Sequence, residues 1–432
     1  MTDEVRLIDI VEEFISGDWG EESASEENPC AVTCVRGADI VPISNSRFEN
    51  IPVRYISASS LKNRGLSEGD IIIEKSGGSP TQSTGRTVYV SKKLVAAKRD
   101  LVCSNFCQAF RIKQGWNSLY VYYYLQVVYN SGVFFNFEGK TSGLKNLILD
   151  SAFQSITIKK VPLEEQDRVA NLLSLIDDKI AANHAINDYL AAMARQLYDY
   201  WFVQFDFPDE NGKPYKSSGG KMVWNEKLKR AVPEGWRCGT LLDIATYTNG
   251  IACQNYRPIS IERLPVIKIK EMHDGFSSET EYVRQDIPES VKVFNGDILF
   301  SWSASLEVIL WARGNGGLNQ HIFKVTSKNG YPRSFYYYKL LDYIVVFKQM
   351  AEARKTTMGH ITRDHLEQST IALPPSVKLP NLFERKISSV FEQYIANQQE
   401  IDQSIRMREA LLPLLMNGQV SVKQLNNHLF AD

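Results

Sequence analysis

From Leu163 to Trp201 the chain contains no glycine or proline, and apolar residues return along it at helical spacing. Ile176, Asn183, Leu190 and Leu197 lie seven apart, with Ile180, Ile186, Met193 and Tyr200 at the intermediate positions. A sustained heptad leaves a narrow seam suited to a second helix. A comparable pattern spans Phe383 to Met416. There Ile387, Tyr394, Ile401 and Leu415 keep the heptad, and Phe391, Ile405 and Leu412 lie between them. Asn183, Gln398 and Arg408 interrupt the seams with polar groups of the kind that fix register. At 1.5 Å per residue the first helix would reach ~58 Å, longer than a small domain is wide.

Outside these stretches the apolar runs are short, rich in Val, Ile, Tyr and Phe, and bounded by turn residues, which predicts strands. Val32–Val35, Ile71–Glu74, Thr87–Val90 and Phe106–Ile112 form one set. Leu264–Ile269, Asp297–Ser301 and His321–Val325 form another. The two sets belong to an internal repeat. Leu7-Ile8-Asp9-Ile10 returns as Leu241-Leu242-Asp243-Ile244, and Ser16-Gly17 as Asn249-Gly250. Gly69-Asp70-Ile71-Ile72-Ile73 returns as Gly296-Asp297-Ile298-Leu299-Phe300, each with a tyrosine 14 residues earlier, Tyr55 and Tyr282. Aromatic runs follow at Tyr120–Tyr124 and Phe335–Tyr338, then short apolar strands at Ser155–Ile158 and Ser369–Ala372. Between the copies, Phe205–Trp236 is rich in Gly, Pro, Lys and Ser and reads as an exposed linker. The predicted order is a domain over residues 1–160, a helix over 161–204, a linker over 205–232, a second domain over 233–376, a helix over 377–420 and a tail over 421–432.

Charge sharpens this picture. The net charge of −1 over 432 residues hides a segregation. Residues 1–50 hold 12 acidic against 3 basic side chains, whereas residues 51–149 hold 13 basic against 5 acidic. Residues 282–365 carry 11 basic against 7 acidic. A basic block inside a neutral chain suits a local phosphate-facing surface, because phosphate is neutralised by charges near it. An ordinary mixed surface accounts for the same numbers.

Arginine and lysine suit guanine, and asparagine and glutamine suit adenine, because each offers a matching set of hydrogen bonds. Arg36, Lys75, Arg86, Lys113 and Lys140 are the candidates in the first copy; Arg313, Asn319, His321, Lys355 and Arg363 are those in the second. After the Gly-Asp strands come Lys75-Ser76-Gly77-Gly78-Ser79 and Ser301-Trp302-Ser303-Ala304-Ser305. Small hydroxylated residues let a loop approach a surface closely, which adds Ser76, Trp302 and Ser303 to the candidates.

No Gly-x-Gly-x-x-Gly or phosphate-loop motif, no nucleophile elbow and no His-Glu-x-x-His is present. Leu373-Pro374-Pro375-Ser376 lacks the polar lead and the aromatic of an adenine methyltransferase motif. Cys30, Cys34, Cys103 and Cys107 offer four thiols, but at C-x-x-x-C spacing and inside predicted strands, so buried free thiols are expected rather than zinc. Six cysteines, no long apolar run and an acidic start without a signal peptide point to the cytoplasm and away from a membrane.

Three stretches carry a family resemblance: Val161-Pro162-Leu163-Glu164-Glu165-Gln166 through Tyr200-Trp201-Phe202, the segment Phe205–Trp236, and Gly296–Ser301. With the two-domain, two-helix repeat, the chain resembles the specificity (S) subunit of type I restriction-modification systems over essentially its whole length. It departs from the pattern at the entry to the second helix, Pro374–Pro380, and at Glu74-Lys75-Ser76-Gly77. The resemblance implies an α+β chain: two mixed α/β target-recognition domains in a tandem pseudo-twofold repeat, each followed by a long helix, the two helices pairing as an antiparallel coiled coil. It also implies a non-catalytic subunit that binds double-stranded DNA, two methyltransferase (M) subunits and restriction/translocase (R) subunits. S-adenosylmethionine, ATP and magnesium would then belong to those partners, with no cofactor on this chain. A helix-mediated scaffold without DNA specificity, and a nuclease with an unrecognised site, are the alternatives left by the residues alone.

Overall fold

The computed structural model describes residues 4–79, 82–141, 144–303, 305–353, 361 and 363–423. The chain divides into two compact units, residues 1–181 with 404–432, and residues 182–403. In the first unit an antiparallel sheet runs in the order Val11–Ser16, Cys107–Ile112, Ile71–Glu74, Thr87–Tyr89. A second sheet places Cys30–Val35 between Val53–Ile56, antiparallel, and Leu101–Cys103, parallel. The second unit repeats this order with Ala245–Asn249, Ile322–Ser327, Ile298–Ser301 and Glu307–Leu310. Its other sheet sets Arg263–Ile267 between Tyr282–Arg284, antiparallel, and Gly316–Leu318, parallel. The repeated strings therefore mark a repeated topology.

The strands after Gly-Asp are apolar on both faces because each lies between two cores. Ile71 and Ile73 pack into one hydrophobic cluster and Ile72 into another. Ile298 and Phe300 likewise face one cluster and Leu299 a second. Each fully buried side chain of this kind contributes about 1.5–3 kcal/mol. The Gly-Asp pair itself builds the turn that feeds the strand. Gly69 and Gly296 sit at φ +95° and +93°, a region open to glycine. The Asp70 and Asp297 carboxylates accept the backbone N–H of Ser67 and Phe294, each at 2.8 Å. Both then form ion pairs, Asp70 with Arg111 at 2.9 Å and Asp297 with Lys324 at 2.8 Å.

The long helices are Leu163–Tyr198, continued by a π-helical turn Asp199–Val203, and Lys378–Met416. They pair antiparallel. In the second unit Asn183 donates to Glu400 Oε2 at 2.8 Å and Asn187 to the Tyr394 carbonyl at 3.4 Å, so partner numbers fall as the first helix advances. In the first unit Arg408 bonds Asp177 at 2.7 Å, and Asp177 also accepts the Tyr123 hydroxyl at 2.6 Å. The predicted seam of the second helix holds in most positions: Ile387, Phe391, Gln398, Ile401, Leu412 and Leu415 are buried, while Tyr394, Ile405 and Arg408 are half-buried. On the first helix the intermediate series is corrected. Ile186, Met193 and Tyr200 are exposed, and the seam passes through Asn187, Ala194 and Trp201, one residue later. Four-residue spacing from Asn183, Leu190 and Leu197 sets this face, and hydrophobicity alone chose the wrong neighbour.

The stretch Phe205–Trp236 is also more ordered than its composition predicts. Met222–Asn225 and Arg230–Pro233 form a hairpin. Phe205, Val232 and Trp236 are buried in the core of the second unit, and Phe207 stacks on Tyr215 at 4.9 Å and on Trp236 at 5.7 Å. The Gly, Ser and Lys residues occupy turns while the aromatics at the ends anchor the segment.

Lys339 is buried beneath the first long helix, its ammonium 5.6 Å from the Tyr198 ring, 5.9 Å from Phe202 and 5.3 Å from Phe335. Burial lowers its pKa from the ordinary 10.5 to about 8, against the opposing pull of Asp342. Below that pH folded and unfolded chains both hold the proton, and the cost of burying it is complete. Between about 8 and 10.5 only the unfolded chain retains it, so stability rises with pH across that window. Lys339→Met is therefore expected to raise stability at pH 7 by about 3 kcal/mol. Its advantage over the wild type should shrink steadily toward pH 10, as read by urea unfolding at each pH. A gap independent of pH would refute the assignment.

Cys34, Cys103 and Cys107 are buried and Cys30 is half-exposed. Burial pushes the Cys34 thiol up to about 12 and that of Cys107 up to about 11. Among the described residues no group of three or more His, Cys, Asp or Glu is placed to hold a metal ion, and no described helix is long and apolar enough to cross a membrane.

Candidate nucleic-acid interface

The same surface tip closes the end of the main sheet in both units. In the first unit the turn Ser104–Phe106 enters the strand Cys107–Ile112, and its carbonyl at Phe106 accepts the Lys75 N–H at 2.8 Å. In the second unit Asn319–His321 enters Ile322–Ser327, and the His321 carbonyl accepts the Trp302 N–H at 3.3 Å. The turns themselves close identically, Cys107 N–H to Ser104 at 2.9 Å and Ile322 N–H to Asn319 at 3.1 Å. The first strand of each sheet ends against this turn. A Cβ on Gly17 would lie 2.0 Å from the Ser104 carbonyl oxygen, and one on Gly250 2.2 Å from that of Asn319. Only glycine allows that approach. These matches pair Ser16 with Asn249, Lys75 with Trp302, Asn105 with Gln320 and Phe106 with His321.

In the second unit the tip gathers Trp302, Asn319 and His321 from the candidates. The Trp302 indole N–H donates to Asn249 Oδ1 at 2.9 Å, and its ring lies 5.7 Å from His321 and 5.9 Å from Phe323. Asn319 Oδ1 accepts the His321 N–H at 3.3 Å, and Gln320 Nε2 lies 3.4 Å from His321 Nε2. Ser303 is buried beside them. The tip thus presents amide and imidazole groups, which can donate and accept, beside an indole whose N–H is held by Asn249.

In the first unit the tip carries Lys75, half-buried at its base, with Asn105 and Phe106 exposed beyond it; Phe106 retains 57% of its surface. Lys75 is held on both sides, since its carbonyl accepts the Leu147 N–H at 2.7 Å. The Ser76 hydroxyl donates to Asn146 on the hairpin Glu138–Thr141 and Leu144–Leu147. Lys145 on that hairpin pairs with Glu138 at 3.1 Å and lies 4.9 Å from the Phe135 ring.

Several candidates are also bonded within the fold. Arg86 grips buried Glu74 through two bonds, 2.9 and 2.6 Å, which raise its pKa above the ordinary value. Arg36 grips buried Asp39 in the same way, at 2.9 and 2.8 Å. Each guanidinium commits Nε and one Nη2 hydrogen to its carboxylate, which fixes its position and leaves only its remaining N–H groups for any further contact. Arg313 bonds Asp402 on the second long helix at 3.0 Å and the His273 carbonyl at 3.3 Å. Lys113 donates to the Asp9 carbonyl at 2.9 Å. It follows the far end of the strand Cys107–Ile112, roughly 20 Å from the tip at strand rise. The backbone of Lys140 lies in the strand Glu138–Thr141 and that of Arg363 opens the helix Arg363–Glu367, but both side chains, like all of Lys355, lie outside the described residues.

Sequence reasoning passed over Asn105, Phe106, Asn249 and Gln320. Phe106 opens the predicted strand Phe106–Ile112, and Asn249 enters only as half of a repeated dipeptide. Aligning Gly17 with Gly250 matches only Ser16 with Asn249, and the other three are brought to the tip by the turns that the folded chain sets against those glycines.

Residues 41–192 and 233–407 match the type I restriction modification DNA specificity domain. The chain is 25% identical over 431 residues to the type I restriction enzyme MjaIX specificity subunit of Methanocaldococcus jannaschii, covering 94% of this chain and 93% of that one. It is 21% identical over 337 residues to the type I restriction enzyme HindI specificity subunit of Haemophilus influenzae, covering 66% and 73% respectively. In fold it is similar to the type I restriction-modification S subunit of M. genitalium, with a TM-score of 0.54 at 12% identity over 95% of each chain.

Proposed function

Because the chain belongs to the type I restriction modification DNA specificity domain family, and is the specificity subunit of such a system, we propose that it reads a split duplex site, one half with each unit. The observation that supports this is the pair of tips: one framework, two different sets of side chains. Unlike side chains at matched positions suit two unlike half-sites, so the target should not be a palindrome. In this reading the subunit is non-catalytic and acts in the cytoplasm. Two methyltransferase subunits and the restriction/translocase subunits carry S-adenosylmethionine, ATP, magnesium and the chemistry.

The two long helices set the gap between half-sites and offer docking surface to those partners. Ile186, Tyr189 and Met193 share one face of the first helix and remain 44%, 77% and 52% exposed, which suits an apolar partner segment. Lys140, Lys355 and Arg363 remain candidate DNA contacts in this reading, alongside the tip residues.

The test is selection from randomised duplex DNA by the chain assembled with its methyltransferase partner. One bipartite, asymmetric sequence should be enriched, with affinity falling steeply as salt rises. Enrichment of no discrete sequence, with assembly intact, would leave the chain a scaffold and overturn the proposal.

A further inference from the structure

Resting on that reading, we infer that the two tips read different bases directly: Lys75 a guanine in one half-site and Gln320 an adenine in the other. The matched positions differ in kind. Lys75 supplies the first tip with a cation, whereas Asn249, Trp302, Gln320 and His321 give the second tip neither lysine nor arginine. A lysine ammonium only donates, and guanine presents two acceptors, O6 and N7, in the major groove. A carboxamide both donates and accepts, as adenine N6 and N7 require.

The backbone holding each reader is fixed. Lys75 is bonded through its N–H to Phe106 and through its carbonyl to Leu147, so its stem starts from a paired strand end. Gln320 is anchored by its N–H to the Ile251 carbonyl at 2.9 Å. With one N–H directed at His321 Nε2, the Gln320 amide keeps its carbonyl and a second N–H for a base edge. Neighbours complete each surface. Phe106 offers an exposed ring for a thymine methyl beside the Lys75 contact. Trp302 is held by Asn249 and lies against His321, so it walls one side of the Gln320 contact. A reader on a rigid strand end discriminates where one on a loose arm only attracts.

The experiment repeats the selection with the assembled complex carrying Lys75→Gln, Lys75→Met or Gln320→Lys. Lys75→Gln should turn one guanine of one half-site into adenine and leave the other half unchanged. Lys75→Met, which keeps the stem, should relax that position, cutting discrimination about 10- to 100-fold without a new preference. Gln320→Lys should make the reciprocal change in the other half. Two outcomes overturn the inference while the proposed function stands: an unchanged consensus, or a uniform loss of affinity for all sequences, which marks a phosphate contact. If the unmodified complex itself selects nothing, the proposed function fails and this inference falls with it.

Discussion

Phe202→Ala should destabilise the second unit by about 3–5 kcal/mol, the largest effect expected of a single truncation in this chain. The Phe202 ring is 1% exposed and meets Phe335 at 5.0 Å, Phe383 at 5.2 Å, Tyr198 at 5.5 Å and Trp236 at 6.4 Å. It is the point where the first long helix, the segment after it, the helix Arg333–Ala353 and the second long helix all converge. With Trp201 at 6.2 Å, five stiff rings surround the site, so the hole left by alanine cannot close by small rearrangements. Urea unfolding followed by tryptophan fluorescence will read the loss, because five of the seven tryptophans lie between residues 182 and 403. A change below about 1 kcal/mol, typical of an ordinary substitution, would contradict this account of the core.

The second large effect concerns spacing. Seven residues inserted between Ala181 and Ala182, with seven more between Gln403 and Ser404, fall at the boundary between the compact units in both helices. Each unit keeps its own contacts, and the added heptads match each other across the seam. Two helical turns add about 10.5 Å, or the length of about three base pairs. The doubly extended chain, assembled with its partners, should therefore select the same half-sites with a gap longer by up to about three base pairs. Inserting the heptad into one helix only should abolish binding to any spacing, because a single register can then no longer satisfy both Asn183 with Glu400 and Asp177 with Arg408. An unchanged gap in the double insertion would show that the helices are not the ruler.

Much of the architecture was legible because the repeat carries it. Gly69-Asp70 and Gly296-Asp297 stand out in the sequence, and each proved to be a turn with a left-handed glycine and a carboxylate cap, a geometry few other residue pairs can build. The polar interruptions Asn183, Gln398 and Arg408 were also read correctly as seam residues, because their spacing placed them there whatever their polarity. The errors came where composition was weighed against position. Ile186 and Met193 are more apolar than Asn187 and Ala194, yet helical geometry puts the latter inside. Phe205–Trp236 looked like solvent-exposed chain because Gly, Pro, Lys and Ser dominate it, although Phe205 and Trp236 at its two ends are buried. Arg36 and Asp39 are three apart and meet across one short turn, whereas the bond from Arg86 to Glu74 was not legible because it crosses between neighbouring strands 12 residues apart. The tip escaped notice for the same reason: it assembles residues 16, 75 and 104–106, or 249, 302 and 319–321, from three separate places in the chain.

The division of the long helices has a consequence for how the chain is made. Leu412, Leu415 and Met416 close the same hydrophobic cluster as Val169, Ala170 and Leu173, in the unit that also holds residues 4–160. That unit is translated first but can be sealed only by residues that emerge from the ribosome long afterwards. The unit between them is contiguous and can fold while its elder neighbour still waits with an open core. A premature stop just after Gln403 would thus injure the beginning of the protein rather than its end, leaving the earlier-made domain as the one exposed to proteases and aggregation.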